Sequence, residues 1–256
     1  MIEFTKKVIE HKYETEIKYY AISRNRSTEK KERNYRELDS DNLDSNICES
    51  ISRTKRKIKE YARNNDFDYF VTLTFDPKKF NSFSIDTVLK CTRLFLQKLR
   101  RSNPDLKYLL VPEYHADKQK IHLHGYIKGY LKLLKAENPD KNGEILTYKG
   151  KTIYNLPQWN YGYSTALKIG KTATDTLKCS SYITKYVTKD LLVAFNQKRY
   201  WSSKNLELGQ TLVEQKIYAR DLNDLLEMEK QVNPIGFDNT FKNDYYACFT
   251  RQDTFE

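Results

Sequence analysis

Residues 106–129 read LKYLLVPEYHADKQKIHLHGYIKG. Two apolar runs flank the polar stretch HADKQ, a pattern that predicts two antiparallel strands joined by a turn. Successive side chains on a strand alternate faces, so His122 and His124 point one way and Leu123 the other. A regular hairpin centred between Asp117 and Lys118 sets Glu113 opposite His122, where Cβ atoms lie about 4.5–5.5 Å apart. A histidine pair with one residue between has two readings, polar side chains on a wet strand or ligands of an ion. Glu113 makes the patch a set of three donors with room for water and substrate, which suits a catalytic divalent ion. His115, two residues beyond Glu113, is an alternative ligand or partner if the turn is irregular. A slip of one residue would turn Glu113 to the other face.

The flanking segments extend the hairpin into a fold. In DYFVTLTFDP (68–77), Val71, Leu73 and Phe75 alternate with Thr72 and Thr74, the pattern of a half-buried strand that Asp76-Pro77 ends. SIDTVLKCTRLFLQKLRRSNP (84–104) predicts a helix capped by Ser84, apolar at Leu89, Phe95, Leu96 and Leu99, and stopped by Asn103-Pro104. Residues 129–158 read as a long loop with room for a small local hairpin. YGYSTALKIG (161–170) is a further strand, and TDTLKCSSYITKYVTKDLLVAFNQ (174–197) a further helix. The order β-α-β-β-β-α predicts an α+β domain, a central antiparallel sheet with helices on one face, related to the ferredoxin-like layout.

The chain has 256 residues, a net charge of +11 and 39% hydrophobic residues. That length buries a real core, and the charge points to a polyanion, most often nucleic acid, although a basic protein can be merely soluble. Twenty tyrosines and two tryptophans supply flat faces for unpaired bases. Cys48, Cys91, Cys179 and Cys248 stand far apart without a CxxC pair, which argues against a zinc ribbon and a disulfide scaffold. No apolar run is long enough to span a bilayer and the start, MIEFTKKVIEHKYE, lacks a signal-peptide core, so a soluble intracellular protein without membrane contact is expected. GKT occurs at 150–152 and 170–172, but Ile145 and Thr165 occupy the positions where a P-loop needs glycine. The chain carries no nucleotide-driven motor.

The second constellation is SSYITKYVTKD (180–190). On a helix Tyr182, Lys185, Tyr186 and Lys189 fall at i, i+3, i+4 and i+7, within one arc. Ile183, Val187, Leu191 and Ala194 form a separate apolar stripe, which leaves the phenols along the edge of the interface. A phenol titrates near 10, and a nearby cation or metal favours the nucleophilic phenolate. The lysines could stabilise that phenolate or hold a phosphate as point charges. Two tyrosines that merely flank a packed helix are the plain alternative.

Outside 66–205 the pattern is thinner. EIKYYAIS (16–23) is strand-like, and 24–46 is a polar loop-like stretch. ICESISRTKRKIKEYARNN (47–65) is a helix whose basic face, with Arg53, Lys55, Arg56, Lys57 and Lys59, is either solvated or in contact with phosphate. Residues 206–256 hold a helix, RDLNDLLEMEKQV, and an aromatic end. The domains are therefore expected at 1–65 (an N-terminal extension with a basic helix), 66–205 (the ordered core) and 206–256 (a C-terminal helical and aromatic extension).

Together the motifs resemble the HUH endonuclease superfamily and, within it, rolling-circle replication initiators (Rep proteins) of phages, plasmids and single-stranded DNA viruses. FVTLTF (70–75), HLHG (122–125) and YITKYVTK (182–189) are similar to their three motifs. WNYGYS and RYWSSKNL also look like segments of phage-type initiators. The resemblance covers about residues 66–205 and implies that they form an HUH endonuclease domain. It implies a divalent ion, Mg²⁺ or Mn²⁺, on Glu113, His122 and His124. It implies Tyr182 attacking the scissile phosphate of single-stranded origin DNA to leave a 5′-phosphotyrosine and a 3′-OH that primes synthesis. It also implies Tyr186 as a second nucleophile, with Lys185 and Lys189 assisting, and Thr72 and Thr74 lining the sheet beneath. A host helicase and polymerase in a bacterial cytoplasm would be the partners. Arg199, Tyr200, Trp201 and Lys204 either offer cations and stacking faces for the strand or form a packed aromatic anchor. Arg53 and Lys57 are further DNA-binding candidates. The rival readings are an HUH transposase and a non-catalytic single-stranded nucleic-acid-binding module.

Overall fold

The structure is a computed structural model that describes residues 1–21, 40–81, 84–114, 120–141, 143–187, 199–232, 239–243 and 246–252. In chain order its elements are β1 (Ile2–Glu10), β2 (Glu14–Ala21), α1 (Ser40–Asn64), β3 (Tyr69–Phe75), α2 (Ile85–Ser102), β4 (Lys107–Tyr114) and β5 (Ile121–Lys128). Short strands follow: β6 (Leu134–Lys135), β7 (Thr147–Tyr148), β8 (Lys151–Thr152) and β9 (Tyr154–Asn155). After them come β10 (Gly162–Lys168), α3 (Ala173–Tyr182), a 3₁₀ turn (Ile183–Tyr186), β11 (Trp201–Ser202), β12 (Gln210–Ala219), α4 (Leu222–Val232), β13 (Asn239–Asn243) and β14 (Tyr246–Gln252). The chain divides into two compact units, Asp39–Glu207 and Met1–Leu38 with Leu208–Glu256.

The larger unit is built on the sheet β11-β4-β5-β3-β10-β9-β6, antiparallel throughout. Its four long strands run β4-β5-β3-β10, so β5 lies between β3 and β4 and the β3-α2-β4 crossover spans it, a split βαβ. This is the expected α+β class. The layers differ from expectation in one respect: helices lie on both faces. Val71, Leu73, Phe75, Leu110, Leu123 and Ile127 pack with Phe95, Leu96 and Leu99 of α2. Leu109, Val111 and Tyr126 face the other way and pack with Ile58 and Ala62 of α1 and Ile183 beyond α3. The central strands are apolar on both sides, so each side needs cover. Each fully buried aliphatic side chain contributes about 1.5–3 kcal/mol by leaving water.

Local chemistry sets the helix limits. The Ser84 side chain accepts from the Thr87 amide at the start of α2. Thr172 and Asp175 form a reciprocal capping box at the start of α3. The α-helix expected through Gln197 ends at Tyr182, and Ile183–Tyr186 tighten into a 3₁₀ turn before Val187 becomes extended. The β-branched run Ile183, Thr184, Val187 weakens the helix there. Leu191 and Ala194 lie outside the described residues. The basic helix α1 extends back to Ser40, earlier than its apolar pattern suggests.

The smaller unit is a five-stranded antiparallel sheet, β12-β1-β2-β14-β13. Phe4, Tyr19, Ala247 and Phe249 pack with Leu222 and Leu225 of α4. The two end segments, read from sequence as separate extensions, share this sheet, since β1 pairs along its length with β12. No helix of the described residues is long and apolar enough to cross a membrane. All four cysteines are free thiols.

Candidate active site

The hairpin register pairs Glu113 with His122 and Val111 with His124. On its other edge β5 meets β3, where His122 faces Thr74 and His124 faces Thr72. The threonine hydroxyls lie 3.0 Å from His122 Nδ1 and 3.1 Å from His124 Nδ1. The imidazoles are stacked nearly parallel, with centroids 6.2 Å apart. Holding Nδ1 fixes each ring and leaves its Nε2 edge for another partner. His124 Nε2 sits 3.0 Å from Glu113 Oε2. Burial, then the positive potential of His122 and Lys185, pushes the His124 pKa down to about 4. The ring is therefore neutral at pH 7, and its contact with Glu113 is a hydrogen bond to a carboxylate rather than an ion pair.

The glycine that ends HLHG has a steric role. A Cβ on Gly125 would stand 2.0 Å from the Leu109 carbonyl oxygen and 2.7 Å from Leu110 Cα. Only glycine lets β4 approach β5 this closely, next to the histidines.

The tyrosine turn lies over the same face. The Tyr186 ring stacks on His124 at 4.0 Å between centroids, tilted by 7°. Phe70 of β3 completes the aromatic bed, edge-on to Tyr182 at 5.4 Å and stacked with His124 at 6.3 Å. The Tyr126 hydroxyl donates to the Cys179 carbonyl at 2.9 Å, tying the end of α3 to β5. Tyr186 Oη donates to Tyr182 Oη at 3.0 Å. Lys185 Nζ stands 3.7 Å from the Tyr182 ring centroid and 4.8 Å from that of Tyr186.

The two phenols differ. Tyr182 is 44% exposed and Tyr186 only 6%. Burial raises the Tyr182 pKa, but hydrogen bonding with Lys185 and Tyr186 and the Lys185 charge outweigh it, so the group is more acidic than a free phenol. Burial and its donation to Tyr182 push Tyr186 far the other way. The sequence pattern put both phenols along the interface edge. Tyr186 instead belongs to the core with Ile183, because residues three apart eclipse in a 3₁₀ turn.

The remaining candidates fall elsewhere. Arg199 Nη1 donates to the Ser50 carbonyl and Thr54 Oγ1 of α1, both at 3.0 Å. Tyr200 meets Tyr61 edge-on at 6.4 Å, and Trp201 is buried where β11 pairs with β4. This geometry favours the packed anchor, since a buried indole offers no face to a base; Lys204 is exposed. Arg53 pairs loosely with Glu49, and Lys57 lies 3.2 Å from Glu60 and over the Tyr61 ring. Lys189 and His115 lie outside the described residues. Phe70 and Tyr126 escaped notice in the sequence, where they read as ordinary strand aromatics.

The donor types, two oriented imidazoles and a carboxylate, fit a hard or borderline divalent ion. Among the described residues no three His, Cys, Asp or Glu side chains are already gathered as a metal group.

Residues 68–191 match the model of a family of replication-associated proteins, the ORF2 family. The matched stretch is just under half of the chain and contains Glu113, His122, His124, Tyr182 and Tyr186. It supports a replication-associated role involving DNA. No curated protein and no solved structure matches the chain.

Proposed function

We propose that this protein nicks and rejoins single-stranded DNA through Tyr182, initiating rolling-circle replication. The observation that carries the reading is the acidified, exposed Tyr182 hydroxyl, held by Tyr186, whose ring lies on His124 of the His-His-Glu patch. Glu113, His122 and His124 would hold Mg²⁺ or Mn²⁺, and the ion when bound supplies Lewis-acid polarisation of the scissile phosphate.

The chain's own groups account for the rest. Tyr182 loses its proton to water, and Lys185 and the Tyr186 hydroxyl stabilise the phenolate. The phenolate oxygen attacks phosphorus in line. An Oη–P bond forms as the P–O3′ bond breaks, and O3′ leaves as a hydroxyl after taking a proton from water. The phosphotyrosine conserves the bond energy, so attack by a 3′-OH reverses the step and joins ends. Tyr186, buried and disfavoured as a phenolate, supports Tyr182 in this step.

The test is incubation of 5′- and 3′-labelled single-stranded oligonucleotides, an origin-derived strand included, with the protein and Mn²⁺. A denaturation-resistant adduct carrying the 5′ phosphate of the downstream fragment is expected. Its absence on every strand would leave a binding module without nuclease chemistry.

A further inference from the structure

The row Glu113–His122–Thr74 does not end at β3. Thr74 pairs with Tyr163 of β10, so Tyr163 lies on the same face, two strand spacings or about 10 Å from His122. Tyr163 is 72% exposed, although its strand neighbours Ser164 and Ala166 are buried. Beside β10 runs β8, which forms with β7 a two-residue hairpin. Its turn residues Lys149 and Gly150 have φ of 48° and 75°, the geometry that rigidifies such hairpins. This ribbon presents Tyr148, 54% exposed, with Lys149 Nζ 5.5 Å from its ring centroid. The ribbon also reaches the tyrosine turn electrostatically: Tyr148 contributes to the raised Tyr186 pKa, and the Lys151 charge is felt at Asp175 and Cys179 of α3.

A single exposed tyrosine is unremarkable on a protein surface. Two of them with two exposed lysines, on rigid backbone along one border of the nucleophile's face, form a surface suited to unpaired bases and phosphates. We propose that Tyr163 and Tyr148 are base-stacking platforms over which the single strand leaves the scissile phosphate, with Lys149 and Lys151 meeting its backbone. This rests on the nicking reading for the strand's position but not for its binding.

The test uses the full chain in EDTA, where no cleavage occurs, with short oligo-dT strands carrying one 2-aminopurine at successive positions. Fluorescence quenching is expected at a few adjacent positions. Tyr163→Ala should weaken binding about tenfold and abolish quenching at one of them. Tyr163→Phe should restore both, since a phenyl ring stacks without the hydroxyl, and Tyr148→Ala should act at a different position. Circular dichroism confirms the fold of each variant. Unchanged affinity and quenching in both alanine variants would overturn the proposal, whether or not the wild type forms an adduct with Mn²⁺. Lost affinity in the alanine variants beside a wild type that never forms an adduct would uphold the platforms and sink the nuclease.

Discussion

The Tyr186 hydroxyl donates to the Tyr182 hydroxyl across 3.0 Å, which makes two neighbouring phenols unequal. The acceptor is exposed and acidified, the donor buried and the weaker acid. Tyr182→Phe should therefore abolish the covalent DNA adduct. Tyr186→Phe should keep it while slowing its formation about 10- to 100-fold, the cost of a hydrogen bond to a charged group. Gel quantification of adduct over time checks this. An adduct that survives Tyr182→Phe and vanishes in Tyr186→Phe would reverse the assignment.

Lys185 gives a pH prediction. Hydrogen bonding and charge from Lys185 lower the Tyr182 pKa against the opposing effect of burial. Acidification of a phenol shifts the rising limb of a phenolate-dependent rate to lower pH. In Lys185→Gln that limb should move towards higher pH, and the rate at pH 7 should fall, while a single-turnover rate measured at high pH recovers part of the difference. A uniform loss at every pH would assign Lys185 to holding phosphate instead.

The hairpin was legible because turn, alternation and register are local: once Asp117 and Lys118 centre the turn, Glu113 must meet His122. Helix α2 was legible from Ser84 and its apolar stripe. The burial of Tyr186 was not, because it depends on a change from 3.6 to 3 residues per turn that begins just after Tyr182. Nor was the smaller unit's sheet, since Phe4 finds its partner Ile217 at the far end of the chain. The roles of Thr72, Thr74 and Tyr163 needed cross-strand register between distant segments, which alternation alone does not supply.

Those threonines are testable. Each hydroxyl lies against the Nδ1 of one candidate ligand, His122 or His124, and such partners fix ring orientation and tautomer. Thr72→Val and Thr74→Val, close in volume, should each lower Mn²⁺ affinity about 10- to 100-fold with little loss of fold. Calorimetric titration of the purified variants with Mn²⁺ checks this. Affinities equal to wild type would mean that the hydroxyls serve only the sheet.

Gly125 carries the last prediction. A methyl group there points into the β4 backbone, 2.0 Å from the Leu109 carbonyl oxygen, where no side-chain rotation relieves the clash. Gly125→Ala must spread β4 from β5 and strain their ladder, at a cost of about 1–3 kcal/mol or more. The same displacement would part Glu113 from the histidines, because they sit on the two strands being separated. Denaturant unfolding should show the lower midpoint, and Mn²⁺ binding should weaken even under conditions where the variant is fully folded. Full stability in Gly125→Ala would mean that β4 and β5 do not approach this closely.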